Sequence, residues 1–152
     1  MLDVIFQECK LQSNGLVVKS LPFLESEKSI IVKTTELMVP APKRFSNLLD
    51  NNFCVTLARK RLTNEQFTMH KQQFLESGDG KIIVFSLNKM HDPDLLDNEI
   101  IVLTDESSTP NDGKLFKKLP TICEFLHIKT ITLVEYLKVN NIDIDWVVPE
   151  RF

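Results

Sequence analysis

The chain has 152 residues, 43% of them hydrophobic and 26% charged, with a formal net charge of -3. That size and composition suit one globular domain with a sizeable core, and the slight acidity excludes a broad electrostatic grip on nucleic acid, so any RNA or DNA contact has to be local. No apolar run approaches the ~20 residues that cross a bilayer, and the start Met1-Leu2-Asp3-Val4 carries an early acid in place of a basic leader, so the expected location is the cytoplasm, away from membranes.

In chain order, Val4-Ile5-Phe6, Leu16-Val17-Val18 and Ile30-Ile31-Val32 are short apolar runs between polar clusters, which predicts a mostly extended first third. Pro40 and Pro42 lead into a brief helix that places Phe45, Leu48 and Leu49 on one face. Phe53 to Leu57 reads as a strand. Thr63 with Gln66 three residues on forms a capping box, opening a helix that carries Phe67 and Phe74 on one side and stops at Gly78. Lys81 to Leu87 fits two readings: a strand through Ile82-Ile83-Val84-Phe85, or a buried helix with Asp79 as its N-cap.

After the polar loop His91-Asp92-Pro93-Asp94, residues 100 to 103 read as a fully buried strand running into Thr104-Asp105-Glu106. Pro110-Asn111-Asp112-Gly113 has turn chemistry, and Pro120 sits in the first turn of a helix through Phe125 and Leu126. Ile128 to Ile131 makes a short strand, and Thr132 with Glu135 is a second capping box opening a helix with Leu133, Val134 and Leu137. Strand, helix, strand, helix is the order of a parallel sheet with helices on its faces. Acids at the carboxyl end of a buried strand are where open α/β sheets keep their chemistry, which draws attention to Asp105 and Glu106.

Cys9, Cys54 and Cys123 are far apart and without CxxC spacing, so they read as apolar buried thiols, and His70, His91 and His127 show no ligand spacing. Asp79, taken alone between Gly78 and Gly80, reads as a turn residue or helix cap. Asp92, Asp94 and Asp97 stand beside Pro93 and Asn98 as a hydrated loop. Arg59-Lys60-Arg61 reads as solvated surface, while Lys114, Lys117 and Lys118 are equally suited to gripping phosphate.

The run Ile101-Val102-Leu103-Thr104-Asp105-Glu106, then Asn111-Asp112-Gly113-Lys114, Lys117 to Cys123 and Ile128 to Leu133 resembles the C-terminal half of PIN domains, also called PilT N-terminal-like nucleases. The resemblance covers about a third of the chain, extending toward two thirds when Phe74 to Leu87 is included. It implies a single α/β domain, a three-layer α/β/α arrangement around a mostly parallel central sheet. It implies Mg²⁺ or Mn²⁺ held by carboxylates, since hard cations prefer several oxygen ligands, and hydrolysis of an RNA phosphodiester. By motif position the carried-over acids are Asp79 and Glu106, with Asp105 as the neighbour able to substitute. Asp3 stands nearest to the family's first acid, although the strand that should precede it is missing, and Glu36, at an expected helix start, stands for the mid-chain glutamate. Lys114, Lys117 and Lys118 would bind substrate. The same resemblance suggests the toxin of a toxin–antitoxin pair, with an antitoxin-like protein or a second copy as partner.

Two other classes compete. A catalytically inactive PIN-like interaction protein would keep the scaffold without its reaction, with Trp146 as a docking residue or a core seal. A small DNA-binding regulator would use Pro120 to Asn140 as a helix-turn-helix, which requires residues 128 to 131 to be a turn.

Overall fold

The computed structural model describes residues 1–11, 15, 19, 23–26, 28–92, 99–109 and 113–142. Within them the chain is mostly helical with one small parallel sheet. Helix α1 spans Asp3–Leu11, α2 Phe23–Ser26, α3 Pro42–Leu48, α4 Thr56–Arg59, α5 Asn64–Glu76 and α6 Gly78–Met90. Strand β1 (Ile101–Leu103) pairs in parallel with β2 (Lys129–Ile131) across α7 (Leu119–Phe125), and α8 (Leu133–Val139) follows. This is the βαβ grammar expected of the C-terminal third.

The first third is not extended. Val4 to Phe6 lies inside α1, because Ile5, Phe6 and Cys9 recur at helical spacing: Phe6 is buried, Cys9 packs on it, and Ile5 reaches the next layer at Gly78. Lys28–Ile30 is a single 3₁₀ turn, and Val32 makes only an isolated parallel bridge to Leu2. The expected run at 16–18 lies outside the described residues, as do residues 93–98, 110–112 and Trp146. Phe53 to Leu57 is likewise no strand. A wide helical turn over Leu49–Phe53 drives Phe53 into the core, Cys54 makes one antiparallel bridge to Phe116, and the chain coils again as α4. The bridge cannot grow because, one residue beyond Lys117, Lys118 becomes the N-cap of α7.

Other expectations hold. Helix α3 buries Phe45 and the following Leu49, with Leu48 packed against the same cluster. At α5 the Thr63 hydroxyl accepts from the Gln66 amide at 3.2 Å and the Gln66 side chain accepts from the Thr63 amide at 2.9 Å, and the same reciprocal pair joins Thr132 and Glu135 at α8. The ambiguity at 81–87 resolves to helix: Gly78–Met90 puts Ile83, Val84 and Ser86 inside, with Ile82 and Leu87 packed alongside. Its N-cap is Ser77, whose hydroxyl accepts from the Gly80 amide, so Asp79 is not the cap but sits one residue inside the first turn.

The core joins α3, α5, α6, β1 and α7. Phe53, Ile83 and Cys123 are fully buried, and Phe53 meets Phe45 and Phe125 edge to face at 6.2 and 5.8 Å between ring centres. Strand β1 is not fully buried. Val102 is inside while Ile101 and Leu103 are exposed, because in a strand alternate side chains face opposite ways and only one face of β1 is covered. Among the described residues, no helix is long and apolar enough to cross a membrane.

Candidate active site

Asp105 and Glu106 follow the end of β1, and each carboxylate meets the start of a different helix. The Asp105 carboxylate accepts from the Leu133 amide at 3.4 Å, at the first residue of α8. The Glu106 carboxylate accepts from the Leu119 amide at 3.3 Å, at the first residue of α7, and its other oxygen lies 3.4 Å from the Lys114 ammonium. An acid near a helix N-terminus is favoured by the unpaired amides and the helix dipole, so both side chains carry structural weight whatever else they do. The Glu106 amide is itself fixed by the Thr104 hydroxyl at 3.1 Å.

Asp79 sits on the first turn of α6. Burial pushes its carboxyl above the usual range, the negative charge of Glu106 and then that of Glu8 push the same way, and Lys114 pulls it back. Asp79 and Glu106, 27 residues apart in sequence, thus share one electrostatic environment. The cleft beside Asp79 has a volume of about 270 Å³ and is walled by His70, Gln73, Phe74 and Ser77 from α5 and its end, and by the segment 114–118. Lys114, Lys117 and Lys118 therefore stand around Asp79, Lys114 exposed, Lys117 half-buried and Lys118 buried.

Two glycines permit this approach. A Cβ at Gly78 would stand 2.5 Å from Ile5 Cδ1 and 2.9 Å from the Glu8 carboxylate, and one at Gly80 would overlap the Phe74 carbonyl oxygen. Their absence lets α1 and the end of α5 close on α6, and the Glu8 carboxylate accepts from the Gly78 amide at 3.2 Å. Glu8 is the acid that the sequence reading missed. Its signal was helical period: once Ile5 and Cys9 are read as one helix face, Glu8 falls beside them.

The other two expected acids lie elsewhere. Asp3 accepts from the Thr34 hydroxyl at 2.7 Å, the Thr34 amide at 3.1 Å and the Val4 amide at 2.8 Å, and the Thr34 bonds hold its carboxyl below the usual range. It fastens the start of α1 to Thr34. Glu36 is exposed in a turn, not at a helix start, the next helix beginning at Pro42. Among the described residues, no three His, Cys, Asp or Glu side chains gather in a group that could hold a metal ion. Cys123, buried beneath Asp79, has its thiol pushed up to about 11 by burial and by the Asp79 charge, which keeps it protonated and inert near neutrality.

No family model, no curated protein and no solved structure matches the chain.

Proposed function

We propose that this protein is a divalent-metal-dependent ribonuclease of PIN type, built on a three-layer α/β/α scaffold of which β1, β2 and their helices are the centre. What supports this reading is that Asp79, on the first turn of α6, lines a cleft with Lys114, Lys117 and Lys118, and that Lys114 also pairs with Glu106 of the loop after β1 at 3.4 Å.

Carboxylates are the donors that Mg²⁺ or Mn²⁺ prefer, with water and substrate phosphate completing the shell, although the described residues bring no three such side chains together. Asp79 and Glu106 would hold the ion, with Asp105 as the adjacent acid. Such an ion would supply activation of a water molecule and charge stabilisation at a phosphodiester. The remaining work belongs to the chain. Lys114, Lys117 and Lys118 would draw the phosphate backbone to the cleft, and the Phe74 and His70 side of the wall would limit how deeply a nucleotide enters. An antitoxin-like protein or a second copy is the partner this reading anticipates.

A second reading, the same scaffold without catalysis, is favoured by one specific observation: both oxygens of Glu106 are already engaged, one by Lys114 and one by the Leu119 amide. The helix-turn-helix alternative loses its geometric basis, because Lys129–Ile131 is a paired strand and not a turn.

Incubation of the purified protein with single-stranded RNA and Mn²⁺ or Mg²⁺ separates the first two. The expected result is cleavage by wild type that falls about 10²-fold or more in Glu106→Gln and in Asp79→Asn. Equal cleavage by all three, or none by any, overturns the ribonuclease reading and leaves the silent scaffold.

A further inference from the structure

We infer that the cavity between the start of α3 and the ends of α6 and α7 binds a small organic carboxylate, with the apolar body on the cavity floor and the charge at Arg44. The inference is independent of the ribonuclease reading, since this cavity and the cleft at Asp79 share no residue.

The cavity has a volume of about 540 Å³, within the usual range of small-molecule sites, and three elements wall it. Phe45 and Leu48 come from α3, Leu87 and Met90 from the last turn of α6, and Phe125 and Leu126 from the end of α7. Phe45 is buried, and the Phe125 ring is set by its edge-to-face contact with Phe53. Phe125 is nevertheless 47% exposed and Met90 41%. Two large apolar side chains thus stay in water while turned to one cavity, and an apolar body seated between them would remove that surface from water.

The polar lining chooses the head group. It consists of Arg44, His91 and His127, with no carboxylate among the described residues that line the cavity. Arg44 is exposed, and among the described residues no acid pairs with it. The neighbouring acids Asp92 and Glu124 do not line the cavity, and Asp92 pairs with Lys89 at 3.0 Å. A helix C-terminus ordinarily favours a cation through its unpaired carbonyls, and two such ends meet here. Both are closed by the chain itself. The Leu87 carbonyl accepts from the His91 ring at 2.7 Å, that of Asn88 from the His91 amide and that of Lys89 from the Asp92 amide, both at 3.2 Å. At α7 the Ile122, Cys123 and Glu124 carbonyls accept from the amides of Leu126, Ile128 and His127. What remains for a ligand is the Arg44 guanidinium, whose planar fork matches a carboxylate.

Backbone geometry marks the same place. Ala41, just before α3, and His127, just after α7, line the cavity with φ of +44° and +59°. Among the described residues only one other non-glycine residue, Asn141, has positive φ. Residues without the freedom of glycine hold that region at a cost, and such costs gather where a ligand is clamped.

The test uses the full chain with octanoate, octanol and octylammonium, which share one apolar chain and differ in head group. Titrations are followed by the methyl resonances of labelled methionine. Of the four methionines only Met90 lines this cavity, while Met1 lines a separate apolar groove against β1. The expected result is saturable movement of the Met90 signal, with octanoate held about tenfold more tightly than octanol and octylammonium held most weakly. Arg44→Met should remove the advantage of octanoate and leave octanol unchanged. Arg61→Met, which removes the same charge outside the cavity, should change neither.

Octanoate held no more tightly than octanol by wild type, movement of Met1 in place of Met90, or no saturable binding overturns the inference. So does an octanoate advantage that survives in Arg44→Met. The head-group comparison is made in wild type and decides the inference whether or not a variant folds. RNA cleavage is read separately, so failure of the ribonuclease reading and failure of this one are distinct results.

Discussion

At Asp79 the chain keeps a carboxylate where burial and two neighbouring acids resist its charge. Because its folded carboxyl lies above the unfolded value, the unfolded chain loses this proton first as pH rises. Any stability tied to the protonated form is therefore fully present below the ordinary value of 3.8 and is lost as pH climbs through the raised folded value. Asp79→Asn removes the penalty. The variant should melt above wild type at pH 7, and the gap should close below pH ~4. Thermal unfolding of both proteins across pH checks this, and an Asp79→Asn protein that melts lower at pH 7 would mean that the carboxylate is held by attraction. Asp3 runs the other way: its carboxyl is lowered by Thr34, so what it contributes is present above the ordinary value and lost as pH falls through the lower folded one.

Helices here are made by different means, and their caps should matter unequally. Helix α5 buries Phe67, which stacks on Phe116 in the core and carries Arg59 and Lys71 over its ring. Helix α8 has the same capping box and no buried residue, with Leu133 and Val134 exposed. Thr63→Ala should therefore cost about 1 kcal/mol of global stability in urea melts. Thr132→Ala should leave the global transition nearly in place and instead speed amide exchange within residues 133–139, since a helix without core anchors opens locally. Helix α7 closes differently, with the Ile128 amide donating to the Cys123 carbonyl and the His127 amide to that of Glu124, and His127 at φ +59° where glycine is the usual choice. That ending turns the chain at once into β2, which is why helix and strand fit in so few residues.

Across the whole molecule, the layers meet through Gly78 and Gly80. A glycine inside a helix is ordinarily improved by alanine, by about 1 kcal/mol. Here the sign should reverse, and by different amounts. Gly80→Ala presses a methyl group into the Phe74 carbonyl, which is backbone and cannot retreat, and should cost about 3 kcal/mol. Gly78→Ala meets the ends of Ile5 and Glu8, which can turn aside, and should cost about 1 kcal/mol while loosening α1. Denaturant melts order the two, and a stabilised Gly80→Ala would contradict the close packing of α5 on α6. That packing also carries the candidate site, because it sets Asp79 in the wall of the cleft.

The sequence by itself determined the pieces whose information is local. The two capping boxes, the Pro42 helix and the strand–helix–strand order of residues 101–131 were legible because caps, prolines and turn residues act within a few positions of themselves. Only the tertiary structure decided the rest. Val4 to Phe6 and Phe53 to Leu57 have strand propensity, yet the first lies inside α1 and the second pairs only through the single bridge of Cys54 to Phe116, and Ile82 to Phe85 satisfies both periods until α1 and α5 pack on it. The acid pair was visible as residues, yet its meaning was not: Asp105 meets the start of one helix and Glu106 that of another, and only packing brings Lys114 to Glu106 and Glu8 to the start of α6 beside Asp79. Charges act through space, and the distances that set their energies exist only once the chain has closed on itself.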